Sequence, residues 1–248
     1  MVRKNIASQL WASVLVNAVY AMENYPIMLI NTLLAPLSIF VIIVLVSHGG
    51  LLSVGIVGAL VMTMITAGVG LQGDLSHLKN DMKLQDMVVS SPTSSLVYVA
   101  GMGLSELVFA SPVIILLAVL ATVYVHPTLM QTVTIMGVMA LTFVFSIVLG
   151  FILSTLTTDV VQSWGFSGAV GVVLSTLPPV YYPISYIPMP FQYIAYISPT
   201  TYAAQIAQSA IGFTSVPAAN LAVDWGVLIA VCAALVVLAI KKARWREP

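Results

Sequence analysis

Residues 128–153 read TLMQTVTIMGVMALTFVFSIVLGFIL, a stretch of 26 residues without one charged side chain. A helix of about 20 apolar residues crosses the hydrocarbon core of a bilayer, so this stretch is long enough to span it. The rest of the chain has the same character, because 60% of its 248 residues are hydrophobic and only 6% are charged. A soluble domain usually carries roughly 25% charged residues. The composition therefore indicates an integral membrane protein.

Six apolar runs meet this length requirement. They are residues 26–47, 53–71, 93–125, 128–153, 164–182 and 221–240. The breaks between them carry loop residues, such as Ser47-His48-Gly49-Gly50 and His126-Pro127. The sequence therefore predicts an all-α membrane protein in which residues 26–248 form one domain with six transmembrane helices.

The basic residues give the orientation of these spans. All eight fall on one side if the chain crosses six times: Arg3, Lys4, Lys79, Lys83, Lys241, Lys242, Arg244 and Arg246. Since basic residues collect on the cytoplasmic side, both termini and the loop at residues 72–92 are predicted to be cytoplasmic.

Residues 1–25 show the pattern of an amphipathic helix. Polar residues recur at every fourth position, at Asn5, Gln9, Ser13 and Asn17. The opposite face is apolar and includes Trp11 as a candidate anchor, so we expect a helix lying in the cytoplasmic interface. A cleaved signal peptide is the alternative, but no small-residue cleavage site follows a short apolar core.

The loop at residues 72–92 combines charge with an apolar stripe. It contains Asp74, Lys79, Asp81, Lys83 and Asp86, and its Leu75, Leu78 and Met82 repeat at helical spacing. A short amphipathic helix is therefore predicted here. It is either a solvated turn or a docking helix for a cytoplasmic partner, and the apolar stripe favours docking.

The segment at residues 183–212 precedes the last span on the outer side. Its four prolines rule out one continuous helix: Pro183, Pro188, Pro190 and Pro199. The segment is rich in tyrosine and too apolar for a free loop, so we predict a re-entrant helical hairpin with tyrosines at headgroup depth. A passive interfacial lid is the alternative.

The sequence carries no recognisable catalytic, metal or nucleotide-binding motif. It contains no phosphate-binding loop and no Cys-x-x-Cys or His-Glu-x-x-His pattern. Gly165-Phe166-Ser167-Gly168 resembles the rhomboid protease motif, but all three histidines precede it at loop positions and none can serve as the base for Ser167.

Glu106 is the clearest charge inside a predicted span, whereas Asp159 and Asp224 lie near span ends. Glu106 follows Pro92 by 14 residues, or about 20 Å of helix, which places it deep in the bilayer. Such a carboxyl has either a structural hydrogen-bonding role or a role in transport or coupling.

Together these features resemble the type-2 ABC exporter permeases. The run LQDMVVSSP at residues 84–92, followed by Gly101 and Leu104, is similar to the family's stretch from the coupling loop into the third span. The run PISYIP at residues 183–188 and the run IAYISPTTYA at residues 194–203 are similar to its outer re-entrant segment.

The resemblance implies a dimer of permeases, identical or homologous, in which each copy docks one cytoplasmic ABC ATPase, two per complex. ATP and Mg²⁺ would bind the ATPase, and this chain would carry no cofactor. The coupling contacts would fall at the acidic and apolar residues of the 72–92 loop, Asp74, Leu75, Leu78, Met82 and Asp86. Glu106, Tyr182, Tyr186 and Tyr202 are candidates for the substrate path or for a structural role.

The expected location is the plasma membrane, with multiple spans and no nucleic-acid partner. Substrates of the resembled family include drugs, lipids and saccharides, and the sequence does not choose among them. The alternatives are a secondary transporter or channel driven by an ion gradient, and an intramembrane hydrolase.

Overall fold

The computed structural model describes residues 5–24, 26–80, 94–157, 159–176 and 178–242. Within these ranges the regular elements are all helical. In chain order the ten α-helices are α1 (Ile6–Val14), α2 (Tyr20–Asn24), α3 (Pro26–Val46), α4 (Leu52–Asn80), α5 (Ser95–Tyr124), α6 (Leu129–Leu156), α7 (Val160–Thr176), α8 (Phe191–Ala195), α9 (Pro199–Ala210) and α10 (Ala218–Lys242). A π-helical turn at Leu15–Val19 joins α1 to α2, and a 3₁₀ turn at Ile184–Tyr186 precedes α8.

Four of these helices are long and apolar enough to cross a membrane: α4, α5, α6 and α10. The other two predicted spans correspond to α3 and α7, whose described apolar stretches, Thr32–Val46 and Val160–Leu174, are shorter. The described part of the chain is thus an all-helical protein with four candidate spans, and the count of six stays a prediction.

Helix α4 is the centre of the bundle. It packs against α3, α5, α6, α7 and α9, and nearly all of its apolar stretch is buried, whereas most of the apolar stretch of α10 faces outward. Small residues allow the closest of these contacts. A Cβ atom added to Gly68 would lie 2.3 Å from the Cβ of Ser146, and one added to Gly150 would lie 2.6 Å from the carbonyl oxygen of Gly68. Glycine at both positions lets α4 and α6 touch backbone to backbone.

The C-terminal end of α4 differs from its prediction. Residues 72–80 continue the helix without a break, and Gln72, Gly73 and Ser76 are buried in the bundle. The first part of the predicted loop is therefore a packed extension of the second span. The remaining loop residues, including Met82 and Asp86, lie outside the described residues.

The N-terminal helix packs on α5 instead of lying free. The Ser105 hydroxyl of α5 donates hydrogen bonds to the carbonyl oxygens of Ser13 (3.2 Å) and Gly101 (2.9 Å). Ser13 therefore faces a neighbouring helix, although its spacing placed it on a polar face. Trp11 remains exposed, on a surface that includes Leu15 and Tyr20. That outward apolar face suits the predicted interfacial position.

Helix α7 begins and ends earlier than the predicted span at residues 164–182. It ends at Thr176, and residues 178–182 are non-helical. Pro178 and Pro179 account for the early end, because proline lacks the amide hydrogen and clashes with the preceding turn of a helix. Val180 and Tyr181, predicted to be helical, instead pack against the bundle, where the Val180 carbonyl oxygen lies 2.3 Å from a Cβ placed on Gly58.

The outer segment contains two short helices, α8 and α9, as its prolines predict. Helix α9 holds the non-helical segment of residues 178–182 against the bundle. The Gln208 side-chain amide donates to the carbonyl oxygens of Pro179 (2.9 Å) and Tyr182 (3.1 Å). Since α9 also packs against α4, α6 and α10, the outer segment is anchored to the helix core.

Candidate functional site

Two candidate regions lie at opposite ends of the bundle, which we call inner and outer after the predicted topology, and the inner one contains a pair of carboxyl groups. Asp74 of α4 and Glu106 of α5 lie within hydrogen-bonding reach of each other. Both side chains are half-buried, and their helices pack together. Asp74 was predicted for a charged loop and Glu106 for the middle of a span. The structure brings them together because α4 continues to Asn80.

The chemistry of this pair follows from its two acids. An ionised carboxylate only accepts hydrogen bonds, so a bond between two carboxyl groups needs a proton on one of them. Two carboxylates in contact also repel, which favours sharing one proton. Partnership with Asp74 supports a hydrogen-bonding role for Glu106, and the coupling role stays a prediction.

A packed apolar cluster lies beside the pair. Leu75 is buried in it, together with Leu71, Met102, Phe143 and Phe151, and Leu78 packs against its edge. Leu75 and Leu78 were both predicted to contact the ATPase. In this structure Leu75 supports the core, so Leu78 is the better candidate for an outside contact among the described members of the stripe.

The outer region contains a cavity of about 480 Å³. It lies between the outer end of α3 and the start of the outer segment. Its wall includes Ile43, Val46, Leu51, Tyr182 and Tyr186. Two of the three tyrosines proposed for a substrate path thus line one cavity, and the lining is mostly apolar.

Tyr202, the third tyrosine, lies on α9 rather than among the lining residues of this cavity. Its hydroxyl donates to the carbonyl oxygen of Tyr196 at 2.9 Å, and the two rings lie 5.9 Å apart. Burial raises the pKa of the Tyr202 phenol above its ordinary value, and the nearby carboxylate of Asp224 raises it further. The structure thereby places Asp224 close to the outer segment.

Asp224 was predicted only as a charge near the end of a span. It lies on α10 and is only 5% exposed, and its Oδ2 atom has no hydrogen-bond partner among the described residues. A signal was present in the sequence, because Asp224 is the only charged residue between Asp159 and Lys241.

Comparison with protein families identifies the chain. The profile of the family described as ABC-2 type transporter matches residues 8–211, well over half of the sequence. This chain belongs to the ABC-2 type transporter family. No curated protein matches the sequence.

The ABC-2 match covers the N-terminal helix, the carboxyl pair and both short outer helices, and it ends before α10. All the site residues predicted from the sequence lie within it, whereas Asp224 lies beyond it. As an ABC-2 family member the chain is a multi-pass membrane transport subunit that associates with an ABC ATPase.

Metal ligands and a serine nucleophile are the other kinds of site that this ABC-2 chain could carry. Across the described residues, no three His, Cys, Asp or Glu side chains come together as a metal site. Ser167 is buried, and its hydroxyl donates to the Val69 carbonyl oxygen at 3.1 Å. That bond ties α7 to α4, which gives Ser167 a packing role.

Proposed function

We propose that this chain is the permease subunit of an ATP-driven exporter. The observation that carries the proposal is the ABC-2 family match over residues 8–211. The partner ATPase would bind ATP and Mg²⁺, and each complex would contain two permeases and two ATPases. A drug-like, lipid or saccharide substrate would leave the cytoplasm through the membrane between the permeases.

The proposed coupling region begins at the inner end of α4. Residues 72–80 extend this central helix toward the cytoplasmic side, and they lead directly to Met82 and Asp86 in the proposed ATPase contact. A push on that contact would pass into α4 and from there to the Asp74–Glu106 pair. Helix α4 contacts five other helices, so its movement would reach most of the bundle.

The proposed contact with a second permease lies on α7. A Cβ atom placed on Gly165, Gly168 or Gly171 would meet nothing within 4 Å, and Trp164, Phe166 and Val172 are exposed nearby. An open row of glycines lets two membrane helices approach closely. In a variant with Cys232 replaced by alanine, Gly168→Cys is expected to form a cross-linked dimer. If Gly168→Cys does not cross-link and a cysteine on another helix does, the dimer interface lies on that other helix.

The proposed release path runs past the outer segment. We propose that α3 and α7 cross the membrane like the other four candidate spans, and that α8 and α9 form the re-entrant hairpin over the path. The cavity bordered by Tyr182 and Tyr186 would then lie at the outer exit. Reporter fusions test this topology: one after Lys83 or Arg246 should be cytoplasmic, and one within residues 47–52 should be external.

Joint purification tests the proposed function most directly. The chain should co-purify with an ABC ATPase encoded beside it, and inside-out vesicles containing both should accumulate substrate only with ATP. A partner ATPase unable to hydrolyse ATP is the control. Failure of every neighbouring ATPase to bind, with the permease correctly inserted, would contradict the proposal.

Docking is tested by separating the members of the apolar stripe. Changing Leu78 and Met82 to serine should weaken ATPase binding while insertion persists. Leu75 is left intact, because its loss would disturb the core and would imitate a docking defect. Unchanged ATPase binding by the double variant would remove the docking role of this stripe.

A further inference from the structure

Asp224 is buried at the outer end of the bundle, and no described residue pairs with its charge. It is the seventh residue of α10, so it lies about 9 Å along that helix from its start. Helix α10 packs there against α6 and α9, and the neighbouring Trp225 ring lies 3.3 Å from a Cβ placed on Gly137. One carboxylate oxygen, Oδ2, is enclosed and accepts no hydrogen bond from the described residues.

No described lysine or arginine lies at the depth of Asp224. No lysine or arginine occurs between Lys83 and Lys241, so α5 to α9 and the loops joining them carry none. Lys241 follows Asp224 by 17 residues, or about 26 Å along the same helix. The two outer histidines, His48 and His126, are exposed in turns. A second copy of the chain would bring the same residues, so it would add no outer lysine or arginine.

An ionised carboxylate enclosed in this way requires a compensating charge. A metal ion is a poor fit, because hard cations take six or more oxygen ligands and no cluster of three acidic or histidine ligands occurs among the described side chains. A protonated amine is a better fit. It carries one positive charge and donates N–H bonds, and the free Oδ2 accepts such a bond.

The aromatic surroundings also suit an amine. Tyr202 lies close enough to Asp224 to be affected by its charge, and its ring is paired with that of Tyr196 at 5.9 Å. The faces of tyrosine rings attract cations. A carboxylate close to a tyrosine ring is a combination that distinguishes a cationic amine from a neutral molecule of the same size.

We propose that Asp224 binds the protonated amine group of a ligand at the outer end of the bundle. The site lies beyond the family match, so it would belong to this chain and its near relatives rather than to all ABC-2 proteins. That the ligand is also the exported substrate rests on the proposed function. Binding of the amine to Asp224 does not rest on the proposed function.

The test compares a fluorescent amine with its neutral form. The purified chain is placed in phosphatidylcholine nanodiscs, which carry no net charge, and is titrated at pH 7 with dansylcadaverine and with N-acetyl-dansylcadaverine. The wild-type chain should bind the amine at least about tenfold more tightly, as expected for a hydrogen bond to a charged group. Equal binding of the two probes would overturn the proposal and would mean that Asp224 carries a proton instead.

Three variants assign the preference to Asp224. Asp224→Asn should abolish it, and Asp224→Glu should retain most of it. Asp159→Asn is the matched control, since Asp159 is an exposed aspartate near the end of another span. A preference that survives in Asp224→Asn, or that falls equally in Asp159→Asn, would overturn the assignment. The wild-type comparison stands even if Asp224→Asn fails to insert.

Binding and transport fail separately in this design. The titration uses neither ATP nor an ATPase, so a loss of the exporter role leaves its result unchanged. If binding is confirmed, vesicles with the ATPase are then tested for ATP-dependent accumulation of dansylcadaverine. Binding without accumulation would keep the amine site and would separate it from the transported substrate.

Discussion

The two ends of the bundle treat their carboxyl groups in opposite ways. At the inner end Asp74 and Glu106 lie within hydrogen-bonding reach of each other beside a packed apolar cluster. At the outer end Asp224 is buried, its Oδ2 atom has no hydrogen-bond partner among the described residues, and it lies close to Tyr202 of the short helix α9. The inner pair meets its own hydrogen-bonding needs, whereas the outer carboxylate depends on something from outside the chain. The difference separates a site that holds helices together from one that is available to a ligand.

The largest expected effect tests how firmly the inner end is packed. Leu75→Ala should lower the free energy of unfolding by about 2–5 kcal/mol, because it leaves a cavity in the inner cluster. Tyr186→Ala, at an exposed outer position, should change it by less than about 0.5 kcal/mol. Thermal unfolding of both variants in the same detergent measures this contrast. Similar losses would show that the two ends are equally packed.

A second test breaks the inner pair. Glu106→Leu should lower stability by about 1–3 kcal/mol, because Asp74 loses its hydrogen-bond partner. Glu106→Gln should cost less than about 1 kcal/mol, since the amide donates to the Asp74 carboxylate as a protonated glutamate does. Unfolding midpoints of the two variants measure the difference. Equal losses would contradict the shared hydrogen bond.

The same Glu106→Gln variant also addresses coupling. If the pair is only structural, ATP-dependent transport by the complex should stay close to that of the wild type. If the proton of the pair moves during the cycle, transport should fall while assembly and basal ATP hydrolysis persist, because glutamine cannot release a proton. Transport and ATPase assays of this one complex separate the two roles.

The smallest expected effect is at the outer end. Tyr202→Phe removes the hydrogen bond from its hydroxyl to the Tyr196 carbonyl oxygen, which should cost about 0.5–1.5 kcal/mol of stability. The aromatic face remains, so the preference for an amine at Asp224 should persist. A lost preference in this variant would mean that the hydroxyl, rather than the ring, contacts the ligand.

Hydropathy and basic residues predicted the helical membrane character and the positions of the long helices, because both depend on local composition. Contacts between residues of different helices could not be predicted in this way. The sequence placed Asp74 in a loop because residues 72–80 are polar, but Leu71, Leu75 and Gln72 keep that stretch inside the bundle. The end of α7 was misjudged because Val180 and Tyr181 are apolar even though two prolines precede them. Asp224 was noticed as a charge near a span end, but its burial depends on α6 and α9, which no local pattern reveals.

Helix α4 has a mechanical consequence for the molecule. Near its outer end Gly58 touches the backbone of Val180, and near its inner end Gly73 touches the ring of Trp164. These contacts are 15 residues apart, or about 23 Å along one helix. Because α4 is closely packed at both ends, it cannot slide along its axis without displacing the residues that it contacts. Axial motion at residues 72–80 would therefore displace the non-helical segment of residues 178–182. Rotation of α4 about its axis is opposed in the same way. It would turn Gly58 and Gly73 away and bring larger side chains against the Val180 backbone and the Trp164 ring. The non-helical segment of residues 178–182 would therefore move in response to a displacement that began at the inner end of α4.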